Sequence, residues 1–261
     1  MTTININSIN MNYKISGNGF PVVLIHGLSD DLNYWRYLTK YLEKYYKVIS
    51  MDLRGHGKTD EGNEKYTINL IKDDVIKLLE KLNINKFHLI GFSLGGQISL
   101  KIAVENPELI SKLILISTLP RSDEYTKKNF KIMLDSLNES FESFYDTMIK
   151  YVLPEDIIRE NKNKLDNTKI NQTKTKNQRA ILKTLKTCNN FDIYNKLPEI
   201  KNKTLIIYGE DEEIISYNNI KELEKIPNSK IVSFPNTKHN ILIKRNFNEA
   251  KNLIINFLNE D

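Results

Sequence analysis

The sequence contains very little cysteine and no long hydrophobic run, and both shortages restrict what this chain can be. Cys188 is the only cysteine among 261 residues, so no disulfide can form within the chain, which suits a reducing compartment. The stretch MTTININSINMNYKISGNG has neither a basic start nor an apolar core, so we expect no secretory signal peptide. No apolar run approaches the roughly 18–20 residues that a membrane-spanning helix requires. We therefore expect a cytoplasmic protein without a membrane span.

The charge balance and the scarcity of histidine restrict the partners and cofactors. Lys and Arg total 38 against 33 acidic residues, and the lysines are scattered, so the net charge of +5 predicts no nucleic-acid partner. The 4 histidines are isolated and lack paired carboxylate spacing, so we expect no metal site. No G-x-G-x-x-G fingerprint of a dinucleotide site is present. The sequence therefore predicts a protein that works without a cofactor.

Short apolar runs alternate with helical periodicity in the first part of the chain. The runs are nearly all-apolar, as is typical of parallel strands covered on both faces, and they occupy 21–27, 47–52, 86–92 and 112–118. A helix that begins at Leu94 should end at Asn106-Pro107. This alternation predicts an α/β fold with a mostly parallel central sheet flanked by helices. Residues 2–16 should form an antiparallel hairpin at the sheet edge.

The pattern changes near residue 120. No strand is expected from 121 to about 197, where a broad apolar stripe at helical spacing runs from Phe130 to Met148. Strand-like runs return at 204–210 and 230–234 and are followed by a last helical pattern. A helical insertion therefore interrupts the α/β core.

This division gives three parts. Residues 1–120 form the first part of the α/β core, 121–197 form a helical cap, and 198–261 form the second part of the core. Within the cap, residues 161–179 are polar and rich in Lys and Asn. We interpret that stretch as a solvated face or loop, with docking of an acidic partner as the alternative.

The stretch GFSLGG places Ser93 where a strand meets a helix. A turn this tight leaves no room for side chains beside the serine, which explains Gly91 and Gly95. Gly96 should let the helix press closely onto the sheet. Ser93 is then held in a strained conformation, with its hydroxyl above the strand end at the positive N-terminus of the helix, which is the position of a catalytic nucleophile.

A serine nucleophile requires a base, and elimination among the histidines leaves one candidate. His88 lies inside a predicted strand, whereas His26 and His56 occupy glycine-flanked turns early in the chain. His239 follows the last strand in a loop at the carboxyl edge of the sheet, and it is the histidine that follows Ser93 in the order serine, acid, histidine.

The base in turn requires an acid that fixes its tautomer. The stretch YGEDEEII ends a strand and offers four carboxylates, and the residues alone do not choose between them: Glu210, Asp211, Glu212 and Glu213.

Five motifs in this order resemble those of the α/β-hydrolase fold family, and the likeness covers nearly the whole chain. HGLSDDLNYW resembles the oxyanion loop of that family, DLRGHGKT its D-x-R-G-x-G-x-S/T turn, and GFSLGG its nucleophile elbow. LIIYGEDEEII resembles the strand and loop that carry the acid, and NTKH the histidine loop. The insertion falls where the family has its helical cap.

The resemblance implies a catalytic triad. Ser93 takes the position of the nucleophile and His239 that of the general base. The acid of the family stands three residues after the glycine that ends its strand, which is Glu212 here, although most members have Asp at that position. Asp211 and Asp123 are the alternative acids.

The resemblance also implies an oxyanion hole formed by the backbone N–H groups of Leu28 and Leu94. Asp52, Arg54 and His56 are better interpreted as structural residues that brace a turn beneath the site.

A serine at the elbow argues against the relatives that open epoxides or remove halides, because these carry Asp there. We therefore predict hydrolysis of a small carboxylic ester, with thioesters and lactones as close variants. Three alternatives remain open: an esterase acting on methyl esters of an acidic carrier protein docked at 161–179, a lyase of the menaquinone-synthesis type, and a non-catalytic receptor for a small ligand.

Overall fold

The computed structural model describes residues 2–260, which contain an eight-stranded sheet. Its strands are β1 (Thr2–Ile6), β2 (Ile9–Ser16), β3 (Phe20–Ile25), β4 (Tyr46–Met51), β5 (Phe87–Phe92), β6 (Ile110–Ile116), β7 (Lys203–Gly209) and β8 (Ser229–Phe234). They lie in the order β1-β2-β4-β3-β5-β6-β7-β8. The hairpin of β1 and β2 is antiparallel and pairs with β4, and the strands from β4 to β8 run parallel. The predicted α/β class and the edge hairpin are therefore confirmed.

Helices flank this sheet and fill the segment between β6 and β7. They are α1 (Arg36–Leu42), α2 (Ile68–Lys81), α3 (Leu94–Glu105), α4 (Glu124–Glu139), α5 (Phe141–Val152), α6 (Glu155–Glu160), α7 (Lys162–Thr175), α8 (Gln178–Cys188), α9 (Tyr217–Lys221) and α10 (Phe247–Asn259). None of the helices within residues 2–260 is long and apolar enough to cross a membrane. The segment from α4 to α8 corresponds to the expected cap, and its residue limits remain a prediction.

The sheet is covered on both faces, which explains why its strands are apolar throughout. Neighbouring residues of β5 point to opposite sides, so Leu89 packs into a cluster with Ile98 of α3, and Ile90 into a second cluster. Trp35 and Ile254 of α10 belong to that second cluster. Each face therefore has its own core, and neither exposes the central strands to water.

Helix α7 occupies the polar stretch that the sequence left as a solvated face or loop. None of its residues is buried, and Ile170 is 55% exposed, so the stretch is a solvated face with a helical backbone. Contacts with α5 hold it in place, since Tyr145 Oη donates to the Leu165 carbonyl at 3.1 Å and Lys169 pairs with Asp146 at 2.9 Å. Its sparse apolar residues gave no helical period to detect.

Candidate active site

Ser93 lies in the turn between β5 and α3 with an unusual backbone conformation. Its φ of 53° and ψ of −114° are strained for a residue with a side chain, at a cost of about 1–3 kcal/mol. A bond from its N–H to the Ile116 carbonyl, 2.9 Å long, ties the turn to β6. A Cβ at Gly91 would overlap the Gly95 carbonyl, and a Cβ at Gly95 would overlap the Ile25 carbonyl. Backbone crowding on both sides therefore requires the two glycines that the sequence singled out.

The carbonyl group of Ser93 is held by three donors. Thr118 Oγ1 donates to it at 2.8 Å, Gly96 N–H at 2.8 Å and Gln97 N–H at 3.2 Å. The N–H of Leu94 belongs to the same planar trans peptide, so it points the opposite way. Within residues 2–260 this N–H makes no hydrogen bond. Thr118 thus orients a candidate oxyanion donor, a role that sequence reasoning missed because 25 residues separate it from Ser93.

The peptide between Gly27 and Leu28 is oriented in the same way by a histidine. His26 Nδ1 lies 2.7 Å from the Gly27 carbonyl, and its Nε2 accepts a hydrogen bond from Leu53 N–H at 3.0 Å. Burial lowers the pKa of His26 to about 4, so the ring is neutral and Nδ1 carries its single proton. The Leu28 N–H therefore points away from His26, and no group in the described part of the chain accepts a hydrogen bond from it. In the sequence, the pair His26-Gly27 indicated that the N–H of Leu28 could be an oxyanion donor.

His239 and Glu212 form a buried pair. His239 Nδ1 lies 2.7 Å from Glu212 Oε2, and both side chains are 3% exposed. The other oxygen, Oε1, accepts hydrogen bonds from Ile214 N–H at 2.8 Å and Ile215 N–H at 3.4 Å. An ionised carboxylate only accepts, so the proton between the two residues belongs to Nδ1. His239 Nε2 is then the basic atom.

The two alternative acids lie elsewhere. Asp211 is exposed. Its contact with the loop that precedes His239 is made by its backbone N–H, which donates to the Thr237 carbonyl at 2.9 Å. Asp123 is the N-cap of α4 and accepts a hydrogen bond from Ser216 Oγ at 2.7 Å. Among the carboxylates of residues 2–260, that of Glu212 is the one bonded to His239.

A cavity of about 190 Å³ lies between the sheet and the cap, and both Ser93 and His239 line it. Leu28 and Leu94, whose N–H groups have no acceptor among residues 2–260, line it as well. Apolar side chains of α4 and α5 form much of the remaining wall: Phe130, Met133, Phe141, Phe144, Met148 and Ile149. The stripe of the cap thus both packs the insertion and faces the cavity.

Phe92, which immediately precedes Ser93, packs against the imidazole. Its ring centroid is 5.3 Å from that of His239, and on its other side it stacks on Tyr34 at 4.6 Å. Tyr34 Oη in turn donates to Asn240 Oδ1 at 3.2 Å. This aromatic packing restricts the orientation of the His239 ring.

The loop that carries His239 is bonded to the C-terminal end of α5. Asn240 N–H donates to the Val152 carbonyl at 3.1 Å, and Lys238 Nζ donates to the Lys150 carbonyl at 2.8 Å. The residues on either side of His239 therefore both contact the cap.

The residues of the DLRGHGKT turn make hydrogen bonds and an ion pair within the core of the fold. Asp52 accepts hydrogen bonds from Leu32 N–H at 2.7 Å and Lys58 N–H at 2.8 Å. Arg54 is fully buried and pairs with Asp74 at 2.7 Å. Neither Asp52 nor Arg54 lines the cavity.

Other chemistry at the site is limited. Cys188 lines the cavity, but burial raises the pKa of its thiol to about 12, so it is not an ionised nucleophile at neutral pH. In the described part of the chain no group of three or more His, Cys, Asp or Glu residues is arranged to hold a metal ion.

Comparison with known proteins identifies the family of this chain. Residues 21–245 match the family model described as alpha/beta hydrolase fold. The chain is 28% identical over 220 residues to the Agrobacterium fabrum protein named "Putative carbamate hydrolase RutD", covering 80% of this chain and 82% of that relative. MGS-M2, an alpha/beta hydrolase enzyme from a Medee basin deep-sea metagenome library, has a TM-score of 0.92 at 19% identity, with 100% and 98% coverage. The enol-lactonase from Burkholderia xenovorans has a TM-score of 0.89 at 22% identity, with 99% and 100% coverage. Because the family model spans most of its length, this chain belongs to the alpha/beta hydrolase fold family.

Proposed function

We propose that this protein is a serine hydrolase that cleaves a carboxylic ester, with thioesters and lactones as close variants, through an acyl-enzyme on Ser93. The observation that supports this most is the 2.7 Å contact of His239 Nδ1 with Glu212, on a ring that lines the same cavity as Ser93. Nucleophile, base and orienting acid are the three parts that acyl transfer requires.

In the proposed acylation step, Ser93 Oγ attacks the carbonyl carbon of the ester while His239 Nε2 takes the hydroxyl proton. The carbonyl oxygen becomes an oxyanion, which the N–H groups of Leu28 and Leu94 stabilise. Collapse of this intermediate breaks the bond to the leaving oxygen. His239 then donates its proton to the departing alcohol, and the acyl group stays on Ser93.

In the proposed deacylation step, a water molecule takes the place of the alcohol. His239 Nε2 removes one proton from the water as its oxygen attacks the acyl carbon, and the same N–H groups hold the second oxyanion. The bond to Ser93 Oγ breaks, the proton returns to that oxygen, and the carboxylic acid leaves. Glu212 orients His239 and stabilises its imidazolium form.

The cavity favours a small substrate with an apolar acyl group, because phenylalanine and methionine side chains of α4 and α5 form much of its wall. Docking of an acidic carrier protein on α7 stays a prediction. Reversing the charge of Lys162, Lys164 and Lys174 should lower the turnover of a carrier-bound ester while leaving that of a free ester unchanged. If the charge-reversed variant turned over the carrier-bound ester as fast as the wild-type chain, docking on α7 would be rejected.

A carbamate is the second candidate substrate, favoured by the 28% identical relative named as a carbamate hydrolase. Attack of Ser93 on a carbamate would give a carbamoyl-enzyme, which the same N–H groups and base would hydrolyse. Comparing kcat/KM for an ester and a carbamate with the same leaving group decides between the two. A higher value for the carbamate would make the ester the secondary substrate.

The proposal is tested with p-nitrophenyl esters of short acyl chains. The wild-type chain should release p-nitrophenol, and Ser93→Ala should lower kcat by roughly 10⁵–10⁶, as loss of a triad serine does in other hydrolases. Ser143→Ala is the matched control, because Ser143 hydrogen bonds Glu139 in the cap and does not line the cavity. Activity that survives in Ser93→Ala would show that another residue is the nucleophile.

Covalent labelling separates the remaining classes. A fluorophosphonate should add to the peptide that contains Ser93 and to no peptide of Ser93→Ala, whereas an inert ligand receptor would stay unlabelled. Release of pyruvate from a suitable substrate without ester cleavage would instead indicate a lyase.

A further inference from the structure

An acidic side chain, Asp30, faces the candidate catalytic cavity. Asp30 lines the cavity two positions after Leu28. Within residues 2–260 no group donates a hydrogen bond to its carboxyl oxygens. The neighbouring Asp31 differs, because Lys176 Nζ lies 3.0 Å from its Oδ2 and Asn33 N–H donates to its Oδ1 at 2.9 Å. The carboxyl oxygens of Asp30 can therefore accept hydrogen bonds from a ligand in the cavity.

The carboxyl group lies against the loop that carries the candidate oxyanion donor. The Asp30 N–H donates to the Gly27 carbonyl at 3.3 Å, and a Cβ at Gly27 would come within 3.2 Å of Asp30 Oδ2. A group bound to Asp30 would therefore sit close to the position proposed for the reacting carbonyl.

The surroundings of Asp30 disfavour an isolated negative charge. Burial raises the pKa of its carboxyl group to about 7, and the charge of Asp31 adds to this rise. Lys176 and His239 lower the pKa of Asp30, and Asp30 in turn adds to the rise that burial causes in the pKa of Tyr34. A hydrogen-bond donor supplied by a ligand would offset this cost.

We propose, resting on the hydrolase function above, that Asp30 is a specificity residue that binds an ammonium group of the substrate. Beside Asp30, the charges of Asp31 and Lys176 are paired with each other at 3.0 Å, so Lys176 is already engaged by another carboxylate. A cation would supply both the missing donor and a compensating charge, whereas a neutral donor supplies only the first. The substrate class is therefore a small ester with an apolar acyl group whose alcohol part carries a primary amine.

The test compares two inhibitors of equal chain length, n-butylammonium and butyramide, during hydrolysis of p-nitrophenyl acetate at pH 8. In the wild-type chain n-butylammonium should bind at least about tenfold more tightly, as measured by competitive inhibition constants. Asp30→Asn should reduce that ratio to about one. Asp135→Asn is the matched control, because Asp135 is exposed on α4, pairs with Lys131 and does not line the cavity, and it should keep the preference.

The pH dependence gives a further signature. As pH falls through 7, Asp30 becomes protonated, so the preference for n-butylammonium should decline toward pH 5.5 in the wild-type chain and stay flat in Asp30→Asn. Equal inhibition by the two compounds in the wild-type chain at pH 8 would overturn the proposal. A preference that persists in Asp30→Asn would assign the cation to another group.

A second readout keeps this inference separate from the proposed reaction. If the wild-type chain hydrolyses no ester, the shift in Tm caused by each compound replaces the inhibition constants. A Tm raised by n-butylammonium and not by butyramide, and lost in Asp30→Asn, would support the binding site even though the reaction class had failed. Equal shifts in the wild-type chain would reject it.

Discussion

At the scale of single residues, two carbonyl groups determine where the candidate oxyanion donors point. The Ser93 carbonyl accepts hydrogen bonds from Thr118 and the start of α3, and the Gly27 carbonyl accepts one from His26. Each bond orients the N–H on the other side of the same peptide plane. Thr118 and His26 are therefore positioning residues, which act through the backbone and need not touch the substrate.

Replacing Thr118 with valine tests this arrangement, because valine has nearly the same shape but lacks the hydroxyl. Loss of one hydrogen bond, worth about 0.5–1.5 kcal/mol, should lower kcat roughly three- to tenfold with little change in KM. Thr118→Ser should restore kcat, since it restores the donor. Steady-state kinetics measure both, and an unchanged kcat in Thr118→Val would show that the other donors suffice.

The acid proposed for the triad gives a second prediction at this scale. Glu212→Gln keeps the shape of the side chain but removes the charge that stabilises the imidazolium, so kcat should fall by about 10³–10⁴. Glu210→Gln is the control, because Glu210 is exposed and accepts a hydrogen bond from Ser233 instead. If Asp211→Asn or Asp123→Asn lowered kcat more than Glu212→Gln, the acid would have to be reassigned.

The sequence predicted the candidate residues unevenly, and the reason is physical. Ser93 could be predicted because a tight turn requires glycines within a few positions of the serine. His239 could be predicted because the chain has only three other histidines that could be the base. The hydrogen bonds of Thr118 and the free carboxyl group of Asp30 depend on distances between separate elements. No local pattern records such distances, so only a folded structure reveals them.

At the scale of elements, the crossing of α3 over the sheet depends on missing side chains. Gly95 lies so close to the end of β3 that a Cβ would overlap the carbonyl oxygen of Ile25, and Gly96 leaves similar room for Thr118. The close approach brings the N-terminus of the helix, with its free N–H groups, to the cavity. The close contact between Gly95 and the end of β3 thus determines both how α3 packs on the sheet and where the candidate oxyanion donor Leu94 lies.

Gly95→Ala should therefore destabilise the protein strongly. The added methyl group meets backbone, which cannot move aside as a side chain can, so the free energy of unfolding should fall by about 3 kcal/mol or more. Urea unfolding at neutral pH measures this, with Lys101→Ala on the same helix as a control that introduces no overlap. Equal stability of the two variants would mean that α3 can shift away from β3.

Elements differed in how well the sequence predicted them. The parallel strands were found because an all-apolar run is what two covered faces require, and β5 satisfies both cores. Helix α7 was left as a solvated face or loop because its contacts with α5 involve a backbone carbonyl and an ion pair. Such contacts leave no apolar period in the sequence.

At the scale of the whole molecule, buried histidines link stability to pH. Burial lowers the pKa of His26 to about 4, of His56 to about 3 and of His88 to about 4, against 6.5 when unfolded. Between pH 6.5 and about 4 the unfolded chain thus binds more protons than the folded one at these residues, so they contribute stability above pH 6.5 that is lost on acidification. Asp30, with its pKa raised from 3.8 to about 7, acts in the opposite direction as a single group against three.

The free energy of unfolding should accordingly fall as pH is lowered from 6.5 to 4. Each proton taken up only by the unfolded chain changes it by about 1.4 kcal/mol per pH unit. Urea midpoints at pH 7.5, 6.5, 5.5 and 4.5 measure this slope, and His88→Gln, which lies outside the site, should make it shallower. A slope that is unchanged in His88→Gln would place the pH dependence in other groups.

The bonds between the C-terminal end of α5 and the loop around His239 have a consequence for substrate entry. Lys238 and Asn240 both donate to carbonyl groups of that helix end, so any displacement of α5 that widens access to the cavity must break these bonds or move the loop with it. Access to the cavity and the placement of His239 are thus mechanically coupled. The position of α5 and the orientation of the His239 ring therefore depend on one set of backbone contacts.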